Sequence, residues 1–268
     1  MDETLSCCLA VSGSVAAVKA PELARLLLDA GVSVDLVLTD AAYSLMQATY
    51  RGKTPWLELQ TLTAKHAPRH AVEDGESASP SKRQKTCSSS SSAGSAAPTL
   101  RIHRDADEWA HYTSVGEDPV LHIELAKRNQ LLLIAPLCAN TLAQAALGLC
   151  GNLLGSVLRA WYYDLDESFA QPLRARYGDH CVSRPVLVAP AMNTFMWHQS
   201  ITKQHLATLE GRGVRLVPPI AKKLACGDVG VGAMAEAKDV AERALSLLRE
   251  FDAAGAAARQ AGCAEFKP

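Results

Sequence analysis

The sequence has no excess of charge of either sign. In 268 residues, 27 Lys and Arg stand against 28 Asp and Glu, a formal net charge of -1. A nucleic-acid footprint needs clustered positive charge, and nothing in this balance points to one. Long apolar runs are also missing. The longest, such as residues 131–139, fall far short of the roughly 20 residues that span a bilayer, so no membrane segment is expected. The opening residues, MDETLSCC, carry acids and no basic cluster, so no secretory leader is expected. Cys7, Cys8, Cys87, Cys138, Cys150, Cys181, Cys226 and Cys263 show no C-x-x-C pair and no disulfide-like spacing. They read as reduced cytosolic thiols, most of them small buried hydrophobes. Neither G-x-G-x-x-G nor a P-loop is present.

What is present is a succession of strand–turn–helix units. Leu5 to Val11 is an apolar run, followed by the turn Ser12-Gly13-Ser14 and by helical spacing from Val15 to Ala30. Val32 to Leu38 is a second strand, and Thr39-Asp40 opens another helix with an N-cap residue. Two such units in a row predict an α/β fold with a doubly wound parallel sheet. A glycine turn lets backbone approach a ligand closely, although the same turn also serves in ordinary βα connections. Leu131 to Ala135 and Val186 to Ala189 read as further buried strands. Each ends in a small-residue turn: Cys138-Ala139-Asn140-Thr141 after the first, Ala191-Met192-Asn193 after the second. In open α/β sheets, ligands bind beyond such strand ends. Asn193 fits two roles there, as cap of the next helix or as a polar grip on a ligand.

Between these units the chain changes character. Residues 65–98 lose their apolar content and carry the cluster Lys82-Arg83-Gln84-Lys85 and the run Ser88 to Ser92. That composition predicts a disordered surface insertion, and its basic cluster reads as solvated charge or as a nuclear signal. Residues 163–184 read as a second insertion, ordered in part around Leu165, Phe169 and Tyr177. Residues 50–62 read as a loop or a short helix. Trp109 and Tyr112 are expected against the core. A helix is expected over Val120 to Asn129, with His122 in its first turn, where an imidazole is placed to titrate or to sit as an ordinary surface histidine. Lys222 to Glu236 holds Gly227, Gly230 and Gly232 and reads as a mobile lid. Cys226 at its start lies near Lys222 and Lys223, which suits a lowered thiol pKa; the other reading is an inert buried cysteine. A closing helix is expected over Ala237 to Arg249, with a frayed tail from Asp252.

Four motifs thus stand in order: SGSVAAVK, LHIEL with APLCANTLA, APAMNTFMW, and LACGDVGVGAMAE. Together they closely resemble the homo-oligomeric flavin-containing cysteine decarboxylases, over most of the chain outside 65–98 and 163–184. The resemblance implies one Rossmann-like flavoprotein domain over residues 1–268, with FMN as cofactor and no metal. It implies conversion of 4'-phosphopantothenoylcysteine to 4'-phosphopantetheine and CO2 in coenzyme A synthesis. Flavin oxidises the cysteinyl group to a thioaldehyde, loss of CO2 leaves charge delocalised onto sulfur, and the electrons then return.

The same resemblance assigns residues. Gly13, Ser14 and Val15 form a first FMN phosphate turn; Thr39, Asp40 and Ala41 form a second, with Asp40 where Lys or Ser is common. Cys138, Ala139, Asn140 and Thr141 stand for an S-A-N-T segment, Cys138 replacing Ser, and Ala191 is a flavin contact. Gly151 stands where an Asp is common. His122 is the essential histidine, positioned to act on the substrate thiol or carboxylate, Asn193 grips the substrate carboxylate, and Cys226 is the acid that protonates the enethiolate after reduction. Lys223 and Ala225 contact substrate. The family builds its flavin site between subunits, so a cytoplasmic homotrimer is implied, with His122 facing a neighbour's flavin. Two other readings stay open. One is a regulatory chain like the halotolerance-type phosphatase inhibitors, or a subunit of a mixed trimer. The other is a peptidyl-cysteine decarboxylase or a flavin prenyltransferase.

Overall fold

The computed structural model describes residues 4–68, 97–110, 112–223 and 229–264. Short runs of Val, Ile and Leu bounded by turn residues become strands buried on both faces, as strands of parallel sheets are. β1 (Ser6–Val11), β2 (Ser33–Leu38), β3 (Leu100–Arg104), β4 (Leu131–Leu137), β5 (Val186–Pro190) and β6 (Arg215–Leu216) form a six-stranded sheet in the order β3-β2-β1-β4-β5-β6. Every pairing in it is parallel. A separate antiparallel hairpin joins β7 (Ile220–Lys223) to β8 (Val229–Ala233). The helices are α1 (Ala20–Asp29), α2 (Asp40–Met46), α3 (Pro55–Lys65), α4 (Leu121–Arg128), α5 (Ala139–Leu147), α6 (Leu153–Ala160), α7 (Glu167–Tyr177), α8 (Thr194–His198), α9 (Ser200–Gly211) and α10 (Ala237–Gln260).

Alternation along the strands sends side chains to two cores. Leu9, Leu36, Leu38 and Leu133 pack with Leu23, Leu27, Leu59 and Val240 of α1, α3 and α10. Cys8, Val37, Leu132 and Ile134 pack with Leu125, Leu142, Leu154 and Leu206 of α4, α5, α6 and α9. Each such leucine contributes about 1.5–3 kcal/mol on burial. The sheet is therefore doubly wound as expected. Its order reverses between β1 and β4, which puts a ligand crevice beyond their carboxyl ends.

Four expectations need correction. The helix expected from Val15 to Ala30 is a 3-10 turn (Val15–Lys19) followed by α1. Pro21 lacks an N–H and is best accommodated in a first turn, which is where α1 places it. Trp109 is not in the core: it is 59% exposed, with Tyr112 edge-on against it. The ends of the expected lid are regular, since residues on both sides of 224–228 pair as β7 and β8. The tail is not frayed from Asp252, because α10 continues to Gln260. Alanine favours helix, and this stretch docks: Gly255 is buried, Phe251 meets the His180 ring at 5.9 Å, and Ala264 N–H donates to Arg176 O.

The two segments read as insertions differ. Of residues 65–98, Lys65 ends α3 and His66 O accepts Leu100 N–H at 3.0 Å, while 69–96 lie outside the described residues. Residues 163–184 carry α7 and a small core of Ala170, Cys181 and Val182, joined by Leu165 and Tyr177; Phe169 is exposed. The six described cysteines are free, with Cys7, Cys8 and Cys181 buried and Cys150 exposed.

One buried acid ties β2 and β3 to the end of α4. Asp35, 3% exposed, accepts Arg128 Nε at 2.7 Å, Arg128 Nη2 at 2.8 Å and Asn129 Nδ2 at 2.9 Å, and His103 Nε2 lies 3.1 Å away. Burial alone would raise its pKa. The bonds to His103, Arg128 and Asn129 outweigh that and hold the carboxyl well below the usual carboxylate range. The folded-state pKa is thus below the unfolded one. The contribution is complete above the unfolded value, about 4, and is lost as pH falls toward the folded value. Asp35→Ala is expected to cost about 3–5 kcal/mol at neutral pH. Urea unfolding should show this cost shrinking in acid; an equal cost at both pH values would contradict the assignment.

Candidate functional site

Because every strand of the sheet runs the same way, every strand end reaches the same edge, and the site is assembled from the turns beyond those ends. After β1, Ser12 is fully buried. Its hydroxyl donates to Pro136 O at 2.8 Å and accepts Cys138 N–H at 2.8 Å, while its N–H donates to Pro136 O at 3.2 Å. This stitches the ends of β1 and β4 together at the point where strand order reverses. Gly13 comes next, and a Cβ on it would lie 2.6 Å from Ala41 Cβ. Only glycine lets the first turn press against the second. Ser14 caps the 3-10 turn by accepting Ala16 N–H, and Val15 is exposed.

After β2, Thr39 is buried and caps α2 through Ala42 N–H at 3.2 Å. Asp40 and Ala41 open that helix at the surface, and Asp40 N–H donates to Asp105 Oδ2 at 3.1 Å. Asp105 stands just past β3, and its other oxygen accepts Leu153 N–H at 3.1 Å, so one carboxylate satisfies the starts of α2 and α6. Burial pushes this carboxyl above its ordinary value, opposed by those two N–H groups.

After β4, Cys138 is the N-cap of α5. Its sulfur accepts Thr141 N–H at 3.5 Å and its S–H reaches Thr141 Oγ1 at 3.3 Å. The thiol thus occupies the capping position of a serine hydroxyl, with the longer bonds sulfur makes. Ala139 and the exposed Asn140 begin the helix, and Thr141 is buried. After β5, Ala191 is buried and its N–H donates to Leu137 O at 3.0 Å. Asn193 caps α8, its Oδ1 accepting Phe195 N–H at 2.8 Å, so the capping reading is correct for its oxygen.

The hairpin closes over this turn. Met192 N–H donates to Gly232 O at 2.9 Å, and a Cβ on Gly232 (φ +150°) would lie 2.3 Å from Met192 O. A Cβ on Gly230 would lie 2.7 Å from Thr194 Cγ2. At its base, Glu236 pairs with Lys19 and with Lys222, each at 3.0 Å, which holds its carboxyl below the ordinary range. Ala225, Cys226 and the side chain of Lys223 lie outside the described residues.

His122 stands in the first turn of α4, which runs back along the sheet, so it begins at the same edge. Its Nδ1 lies 2.5 Å from Glu108 Oε1. Asp105 and Glu108 had no motif to mark them, and Ser12, although it opens the first turn, was assigned no role of its own. The available signal was position: each stands within four residues of a strand's carboxyl end.

With Ser14 N–H bonded to Ser12 O and Asp40 N–H to Asp105, the edge offers N–H groups at 13, 15, 41, 139 and 140 to an anionic ligand. Gly13→Ala is expected to cost about 1–3 kcal/mol by overpacking against Ala41 and to weaken ligand binding at the first turn. Combining it with Ala41→Gly should restore much of both, as read by thermal unfolding and ligand titration. No recovery in the double variant would mean the contact is not the reason for glycine.

A family model described as Flavoprotein matches residues 1–249. A probable phosphopantothenoylcysteine decarboxylase of Arabidopsis thaliana is 48% identical over 137 residues, which is 51% of this chain and 58% of that protein. The chain thus spans little more than half the length of this curated relative. A solved PPC decarboxylase mutant, complexed with pantothenoylaminoethenethiol, is 32% identical, covers 92% of this chain and 100% of its own, and superposes with a TM-score of 0.63. The FMN-binding protein AtHal3 is 33% identical, covers 92% of this chain and 98% of its own, with a TM-score of 0.61.

Proposed function

The chain belongs to the flavoprotein family, and on that premise we propose that it binds FMN and converts 4'-phosphopantothenoylcysteine to 4'-phosphopantetheine and CO2. The observation that carries this reading is the convergence of Gly13, Thr39, Cys138 and Asn193 at one edge of a sheet whose order reverses beside Ser12. The residues present fit the cofactor. Gly13 lets its turn close directly on Ala41, and the turns carry N–H donors and small side chains suited to a phosphate and a flat ring. Ser14, Val15, Asp40, Ala41, Ala139, Asn140, Thr141 and Ala191 would hold it.

When bound, FMN supplies the two-electron oxidation of the cysteinyl group and the return of those electrons. The chain's own groups do the rest. His122 accepts the proton of the substrate thiol, Asn193 holds the substrate carboxylate by its amide, and Lys223 and Ala225 contact the substrate. Cys226 gives a proton to the enethiolate that remains after CO2 is lost. Exposed Val15 (53%) and Phe195 (76%) flank the site, and apolar surface there favours burial against a second copy. A homotrimer with the FMN site between subunits is the assembly proposed. Free cysteines accord with a cytoplasmic location. Among the described residues, no helix is long and apolar enough to cross a membrane.

The test is turnover by purified protein with FMN, with product followed by mass spectrometry. His122→Asn is expected to lower kcat by about 10²–10⁴-fold, the range of a lost general base. Cys226→Ser should release CO2 and then stall before product. A yellow, flavin-loaded wild-type protein with no turnover would sink the substrate assignment.

A further inference from the structure

His122 leaves its partner unexplained. Glu108 stands 14 residues earlier, just past the end of β3, and its Oε1 meets His122 Nδ1 at 2.5 Å. Glu108 is only 9% exposed, and its Oε2 is buried with no hydrogen-bond partner among the described residues. Desolvating a carboxylate is expensive, and a buried one is retained where a specific partner compensates it. Here that partner is the imidazole. The side chain of His122 is 23% exposed, and its Nε2 is not among the buried unpartnered atoms. One nitrogen, Nδ1, faces a buried carboxylate, which leaves Nε2 as the ring nitrogen not bonded to Glu108.

We propose that Glu108 is a positioning residue that keeps the proton of His122 on Nδ1 and so presents Nε2 as the proton-accepting atom. A carboxylate at Nδ1 selects the tautomer, because an acceptor there requires an N–H opposite it. It also stabilises the imidazolium that forms when Nε2 takes a second proton. The step balances simply. The substrate S–H bond breaks, an Nε2–H bond forms, the electron pair stays on sulfur, and the Nδ1 proton does not leave. Glu108 itself need touch neither substrate nor cofactor. Its own position is fixed from the strand side, where its N–H donates to Asp105 O, the residue that ties α2 to α6. The inference rests on the decarboxylase reading for what His122 does, and on geometry alone for how it is held.

The experiment labels histidine with 15N in the FMN-loaded protein and assigns His122 by the resonances lost in His122→Asn. At alkaline pH, where imidazoles are neutral, Nδ1 should show the protonated shift and Nε2 the lone-pair shift. A proton on Nε2 in the wild type would overturn the proposal without any variant having to fold. Glu108→Gln keeps the shape and removes the charge. It should retain flavin and KM while kcat falls by about 10²-fold or more. Wild-type kcat in that variant would equally overturn the proposal. Full turnover by His122→Asn would instead remove the decarboxylase role of the histidine and leave the tautomer result standing.

Discussion

Parallel pairing is the constraint on which everything else depends. A parallel strand cannot be joined to its neighbour by a tight turn, so the chain must cross back through a helix each time. Every strand therefore delivers its last residues to one edge, and every crossover helix starts there with unsatisfied N–H groups. β1, β2, β4 and β5 are followed by Ser12, Thr39, Cys138 and Ala191, residues spread over the sequence and brought to one edge by the sheet alone. The reversal of order at β1 and β4 opens a crevice between two such ends. The Ser12 hydroxyl holds that crevice to a fixed width, being donor to one strand and acceptor from the turn after it.

Glycines set how closely these turns approach. Gly13 against Ala41, Gly230 against Thr194 and Gly232 against Met192 O each mark a contact too tight for a Cβ. The first joins two neighbouring turns of the sheet. The other two seat the β7–β8 hairpin on the residues around Asn193.

Buried and half-buried acids serve as ties between elements. Asp35 joins β2, β3 and the end of α4, and Asp105 joins the starts of α2 and α6. Glu108 meets the start of α4 at His122. α4 is thus held at its two ends by different carboxylates, and its first turn has little freedom to reorient the imidazole. Removing any of these acids leaves donors without partners, which costs more than the bond contributes when made.

The strands β1, β2, β4 and β5, the doubly wound class and the residues after each of those strands were legible in the chain itself, because strand burial and turn chemistry are local and periodic. LLLIA reads as a strand, and Thr39 and Asn193 read as helix openings, whatever surrounds them. The extent of α10 was not legible, since its alanine-rich end is ordered by Phe251 and Gly255 docking on His180. Nor was the exposure of Trp109, because an aromatic ring carries no signal of which side of a turn it faces. Ser12, Asp105 and Glu108 belong to the same class. Each acts through a partner distant in sequence, from 14 to 126 residues away, and separations of that kind leave no period or spacing to read. Local sequence specifies which groups the edge will display; which of them touch is a property of the folded sheet, because contact across strands is fixed by pairing and packing rather than by neighbours along the chain.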